Sequence, residues 1–221
     1  MHADFWHERW QRNQIGFHQE AINPHLQQFW PALGAAPGAR VFVPLCGKSG
    51  DMLWLRAQGY TVVGVELSPL AVQAFFDENG LEAKVEMRGP FRVYETDGLC
   101  LYCGDFYALT PADLAAVTAV YDRAALIAMP PAMRSAYAGQ LRQLLAPGTR
   151  TLLVAIEYDQ AEMDGPPFSV PEAEVRALYQ GACSVERLHA ADILEQEPRF
   201  RDKGLTRLQE KVYALTYNRN F

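Results

Sequence analysis

The sequence predicts an α/β fold of the doubly wound kind, a mostly parallel seven-stranded sheet with helices on both faces. Three observations carry that reading. From Arg40 onward, apolar strand-like runs alternate with helix-periodic stretches, and that alternation builds parallel sheets. The run Arg40-Val41-Phe42-Val43 breaks directly into Pro44-Leu45-Cys46-Gly47 and then a helical segment. The next run, Tyr60 to Val65, ends on a single acid, Glu66, 19 residues after Gly47. A tight turn after the first strand and an acid about 20 residues on is how such folds hold an adenosine ribose. The turn lets a ligand approach the backbone, and the carboxylate accepts from the two ribose hydroxyls.

The elements follow in order. Phe5, Trp6 and Trp10 recur at helical spacing behind Asp4, an N-cap candidate, and Pro24 to Phe29 starts a second helix. The first helix reads either as packing on the domain or as a lid over a ligand, and spacing alone favours packing. Ser49 to Gln58 is helical with Gly59 as its stop; Ser68-Pro69 opens another helix that runs to Asn79 and ends at Gly80. Asp97-Gly98 between Phe91–Tyr94 and Leu99–Cys103 reads as a β-hairpin. Strands are expected at 116–121, 149–157, 184–188 and 211–217, with helices at 131–145 and 171–179. Residues 1–221 form one domain on this reading, with 1–35 a helical N-terminal segment and 40–221 the α/β core.

Composition narrows the function. A chain of 221 residues with 49 % hydrophobic and 21 % charged residues is ordinary globular usage. A net charge of -6 with no basic stripe argues against a nucleic-acid partner. No apolar run approaches the ~20 residues that span a bilayer, and Met1 to Glu8 lacks the pattern of a signal peptide, so a cytoplasmic location is expected. Cys100 and Cys103 sit three apart on a strand, hence on opposite faces, and cannot clamp one metal together. No other spacing of cysteine or histidine suggests a metal site.

Ligands of open α/β sheets lie beyond the carboxyl ends of the strands. The polar or glycine positions there are Leu45-Cys46-Gly47, Glu66, Asp105-Phe106 and Asp122-Arg123. The turn from Val43 to Gly50 has neither G-x-G-x-x-G nor a Walker pattern, so a pyrophosphate has no dense N–H cradle. That leans away from nicotinamide and nucleotide cofactors and towards S-adenosylmethionine.

The chain resembles the thiopurine S-methyltransferases, above all their bacterial branch. The resemblance rests on Trp10, Ile15-Gly16-Phe17-His18-Gln19, Val43 to Lys48 and Val63-Gly64-Val65-Glu66, and continues through Leu101-Tyr102-Cys103, Asp122 to Leu126, Gly165 to Phe168 and Glu210 to Tyr213. It implies a class I methyltransferase fold, a cytoplasmic monomer, and methyl transfer from S-adenosylmethionine to the sulfur of an aromatic thiol or thiopurine. Selenium and tellurium compounds are acceptors associated with bacterial relatives. Matched position by position, the resemblance assigns cofactor contacts to Trp10, Leu45, Gly47, Glu66, Asp105, Phe106 and Arg123. It places Phe17 and Arg199 at the thiol pocket. Read from the residues alone, Phe17 also fits plain packing, and Asp122 also fits an ion pair with Arg123. No catalytic base is expected, because an aromatic thiol ionises readily, and Arg123 is expected to favour the thiolate electrostatically. The rival readings are a nicotinamide-dependent oxidoreductase and a non-catalytic sensor of an adenosine ligand.

Overall fold

The computed structural model describes residues 3–218; residues 1, 2 and 219–221, part of the expected 1–221 span and of the N-terminal reading, lie outside the described residues. The helices are α1 (Ala3–Gln11), α2 (Pro24–Phe29), α3 (Asp51–Ala57), α4 (Pro69–Glu78), α5 (Pro131–Leu144), α6 (Glu172–Tyr179) and α7 (Pro198–Arg201). The strands are β1 (Arg40–Val43), β2 (Thr61–Glu66), β3 (Lys84–Arg88), β4 (Phe91–Thr96), β5 (Leu99–Cys103), β6 (Val117–Arg123), β7 (Arg150–Glu157), β8 (Cys183–Asp192) and β9 (Gln209–Tyr217). They form one sheet in the order β3-β4-β5-β2-β1-β6-β7-β9-β8.

The centre, β5-β2-β1-β6-β7, is parallel throughout, and both flanks are antiparallel. From β1 the chain builds outward through β2, then returns to start β6 on β1's other side. This reversal is the switch point at which open α/β sheets leave a crevice.

The strand count is nine rather than seven. The runs named from sequence include β4, as the first arm of the hairpin, so the one strand without a sequence counterpart is β3. Lys84 to Arg88 does alternate polar and apolar residues, but β3 is only five residues long, and its apolar Val85 and Met87 face outward, 41 % and 68 % exposed. The hairpin at Asp97-Gly98 is as predicted, with Gly98 at φ 71 and Thr96 paired to Leu99.

Side chains alternate across the sheet and fill two apolar layers. Val41, Val43 and Val62 point to one face, where α2, α3 and α4 bring Leu26, Met52, Leu55 and Phe75. Phe42, Val63 and Val65 point to the other, under Tyr137 and Leu141 of α5 and Val175 of α6. Phe42 is fully buried at the sheet centre, and its truncation to alanine would cost roughly 3–5 kcal/mol. Cys100 and Cys103 fall in opposite layers, as their spacing requires.

Helix α4 begins as read from sequence: Ser68 Oγ accepts from Ala71 N at 3.4 Å and Pro69 occupies the first turn. Asp4 lies inside the first described turn of α1 rather than at its cap. There its charge still complements the helix dipole. A further device ties the N-terminal region to the core. Buried Asp51 accepts from Asn23 N at 2.8 Å and from Tyr121 Oη at 3.0 Å, and Asn23 caps α2 through His25 N and Leu26 N. No described helix is long and apolar enough to cross a membrane.

Candidate active site

The turn after β1 is strained and tightly held. Leu45 and Gly47 both have positive φ, 46° and 54°, a region unfavourable to a residue with a side chain. The neighbouring strand compensates. Cys46 N donates to Val65 O at 3.0 Å, and Gly47 N donates to Glu66 Oε2 at 2.9 Å. The other oxygen, Glu66 Oε1, accepts from Ser68 N at 2.7 Å, so one carboxylate ties the β1 turn to the start of α4. Gly64 makes room beneath: a Cβ there would lie 2.8 Å from Cys46 Sγ. Glu66 is 6 % exposed. Burial pushes its pKa up, and the N–H groups of Ser68 and Gly47 pull the other way.

Two more strand ends stand alongside, since β5, β2, β1 and β6 are adjacent. After β5, Asp105 Oδ1 accepts from Tyr107 N at 2.9 Å and starts a short 3₁₀ turn, Phe106–Ala108. Phe106 is buried against Tyr137, ring centroids 5.1 Å apart. At the end of β6, Asp122 turns away from Arg123. Its carboxylate accepts from Tyr137 Oη at 2.7 Å and from Leu126 N at 3.3 Å, and burial pushes its pKa up to about 6. The expected alternative of an Asp122–Arg123 ion pair therefore fails. The inward-facing acid takes the buried tyrosine, and the half-buried arginine is left with no hydrogen bond or ion pair among the described residues.

Opposite the strand ends, α1 buries none of its described residues. That argues against the packing reading of this helix, which needs a buried face. Its rings cluster instead. Phe17 meets Trp6 and Trp10 edge-on, each at 5.7 Å. The Trp10 indole lies over the turn glycine, 3.4 Å from where a Gly47 Cβ would stand. From α7, Arg199 donates to Gly16 O and to Glu197 Oε2 and stacks on Phe200, joining the two segments that rim the opening.

Between these walls lies a cavity of about 680 Å³, within the range of small-molecule sites. All the residues named from sequence line it: Trp10, Phe17, Leu45, Gly47, Glu66, Asp105, Phe106, Arg123 and Arg199. Others were not singled out. Met129, Met133, Pro166 and Phe200 supply apolar lining, and Arg9, His18, Lys48 and Lys203 add charge or polarity. His18 lies within a quoted motif, yet its spacing says nothing of its surroundings. Its pKa is lowered by burial first, then by the positive field of Lys48, with Arg123 adding to it, so the imidazole is held neutral. Among the described residues no cluster of histidine, cysteine or acid is placed to hold a metal.

The sequence profile of the thiopurine S-methyltransferase family, TPMT, matches residues 1–218. The chain belongs to that family. It is 55 % identical over 216 residues to the thiopurine S-methyltransferase of Pseudomonas entomophila, covering 98 % of this chain and 100 % of that one. To the enzyme of the same name from Nitrosospira multiformis it is 52 % identical, covering 97 % and 98 %. Among solved structures, the 1,6-didemethyltoxoflavin N1-methyltransferase of Burkholderia thailandensis, with S-adenosylhomocysteine bound, superposes with a TM-score of 0.64 at 16 % identity, over 98 % of this chain and 87 % of that one. The protein is an S-adenosylmethionine-dependent methyltransferase with the class I fold. Its residues fit the cofactor: a carboxylate pinned at the β2 end, an aromatic at the β5 end, and a left-handed turn glycine covered by the Trp10 indole.

Proposed function

We propose that this methyltransferase acts on the sulfur of an aromatic thiol or thiopurine, with selenium and tellurium compounds as further soft acceptors, as a cytoplasmic monomer. The observation that carries the reading is Arg123, a permanent cation whose side chain has no hydrogen bond or ion pair among the described residues, in the wall of a cavity with much apolar lining. Apolar lining suits an aromatic ring, and an unengaged guanidinium in the same cavity stabilises a thiolate. Se and Te nucleophiles share the polarisable, easily ionised character of the aryl thiolate.

S-adenosylmethionine, when bound, supplies an activated methyl group that passes in line to the acceptor sulfur, leaving S-adenosylhomocysteine and a thioether. The protein's task is alignment. Glu66 would accept from the ribose hydroxyls with the lone pairs its backbone partners leave free. Phe106 and Asp105 would flank the adenine, and Leu45 and Gly47 would shape the floor below Trp10. Phe17 and the rim held by Arg199 would close over the acceptor ring. Residues 3–22 contain no buried residue, whereas Asn23, Leu26 and Trp30 are buried. The lid within the expected 1–35 segment is accordingly 3–22, hinged at Asn23.

The test is a methyl-transfer assay with labelled donor against thiophenol, a thiopurine, selenite and tellurite. Turnover of the first two supports the reading. Donor binding with no turnover of any acceptor would leave an adenosine-ligand sensor. Binding of NADH in place of S-adenosylhomocysteine would favour the oxidoreductase.

A further inference from the structure

The charged side chains lining the cavity differ in how far protein groups already engage them. Each acid there has a partner: Glu66 has two backbone N–H groups, Asp105 has Tyr107 N, Glu197 has Arg199, and Glu210 has His25 at 2.6 Å. Two lining cations are likewise engaged, Lys48 with Glu78 at 2.6 Å and Arg199 with Glu197 at 2.9 Å. Arg9, Arg123 and Lys203 line the same cavity and have no ion pair among the described residues. These three side chains gather in a protein of net charge -6, around a site for a cofactor whose sulfonium is itself a cation. Uncommitted cations gathered there are repulsive unless ligand anions meet them.

Arg9 is the most informative of the three. It sits in the last turn of α1, on the lid. The acid nearest it in sequence, Glu8, pairs with Arg12 instead. Its guanidinium carbon lies over the Phe5 ring, 4.4 Å from the centroid, and its N–H groups have no hydrogen bond or ion pair among the described residues. Its Nε is buried with no hydrogen-bond partner. A buried unsatisfied donor in a folded protein calls for an explanation, and a ligand group that arrives later is one. An uncommitted arginine fork is matched to a planar, bidentate anion.

We infer that Arg9 is a carboxylate-binding residue carried on the lid, so that closing the lid over an anionic ligand group completes the site. The inference rests on the cofactor-site reading above. A carboxylate has two sources, the methionine end of the cofactor or an acid substituent on the aromatic acceptor, and the ligands of the experiment tell them apart.

The probes are S-adenosylhomocysteine and 5′-methylthioadenosine, which lacks the amino-acid end, titrated calorimetrically into wild type and Arg9→Gln. In parallel, KM is measured for 4-mercaptobenzoate and for thiophenol. If the cofactor is the source, Arg9→Gln weakens S-adenosylhomocysteine by about tenfold and leaves 5′-methylthioadenosine unchanged. If the acceptor is the source, KM rises by a similar factor for mercaptobenzoate and not for thiophenol. Equal weakening of charged and uncharged ligands would show that Arg9 only packs the lid, and that result, or no change in any ligand, overturns the inference. Thermal unfolding of the free variant checks folding, and its midpoint should not fall, because Nε has no protein bond to lose. Wild type that binds neither nucleoside would refute the cofactor-site reading itself, a failure distinct from that of Arg9.

Discussion

The two walls of the cavity are built on opposite principles. The strand-end wall is held by backbone: Glu66 takes two main-chain N–H groups, Cys46 is bonded to Val65, and the turn keeps two left-handed residues in place. The lid wall is held by surfaces: edge-on rings, an arginine stacked on Phe5, and one reach from Arg199 to Gly16 O. Strain survives only where surrounding structure enforces it, so the first wall is formed before any ligand arrives. The second has little buried area to hold it and belongs to the low-stability part of the fold. On the proposed reading, a preformed floor would fix where the methyl donor sits, and a weakly held cover would admit acceptors of differing shape.

The largest effect should come from the floor. Glu66→Ala removes the ribose acceptor and orphans Gly47 N and Ser68 N together. Binding of S-adenosylhomocysteine should weaken by at least about tenfold, and stability without ligand should fall by roughly 2 kcal/mol. Calorimetry and urea unfolding on the same variant measure both. Loss of affinity at unchanged stability would mean that the N–H ties do not hold the floor.

Arg123 tests the chemistry between the walls. Arg123→Ala should lose most activity, by about tenfold or more, with the most acidic thiols affected least. Arg123→Lys should retain much of it if charge alone matters. Because Asp122 is bonded to Tyr137 instead, neither variant should alter the unfolding midpoint by more than about 0.5 kcal/mol equivalent. Kinetics on a series of substituted thiophenols decides, and an unchanged Arg123→Ala enzyme removes the residue from the mechanism.

Asp122 offers a pH readout of the floor's support. Its carboxyl holds a proton more tightly folded than unfolded, so its protonated form favours the fold. That contribution is complete below the ordinary value of 3.8 and is lost as pH rises through about 6. Across this window wild type should lose on the order of 2–3 kcal/mol relative to Asp122→Asn, given 1.36 kcal/mol per unit. Parallel stability-versus-pH curves for the two proteins would contradict this.

The smallest change in stability is expected at the lid. Trp10→Ala should shift unfolding by less than about 1 kcal/mol, because no described residue of α1 is fully buried, yet weaken S-adenosylhomocysteine severalfold. Hydrogen exchange over residues 5–20 should slow when ligand is added to wild type. Equal exchange with and without ligand would return α1 to the status of a packing helix.

The floor was legible in the sequence because its signals are local. A strand, a turn and an acid at fixed separation are written within 27 residues, Arg40 to Glu66, and the sheet order then places four such ends side by side. The partners of those residues were not legible. Nothing near Asp122 in sequence points to Tyr137, 15 positions away, or turns the acid from Arg123. The lid was legible as aromatic spacing but not as a cover, since periodicity does not reveal whether a face finds a partner. Phe17 and Arg199 reached the list through family resemblance. Arg9 and Lys203 were missed because their importance lies in lacking an ion pair, a property of the assembled cavity.

The ends of the sheet bear on how the protein behaves in a crowded solution. An open strand offers its unpaired backbone groups to any other chain, and long, flat, apolar edges seed aggregates. Here β3 is short and strung with charge: Glu86 contacts Lys84 at 3.0 Å and Arg88 at 2.6 Å, and Arg88 also reaches Glu95. The opposite end, β8, breaks register between Arg187 and His189, a bulge that spoils the template for an incoming strand. Exposed Val85 and Met87 therefore sit among charges that an approaching strand would have to strip of water. Neutralising Glu86 and Arg88 together would leave catalysis intact and make the protein sticky.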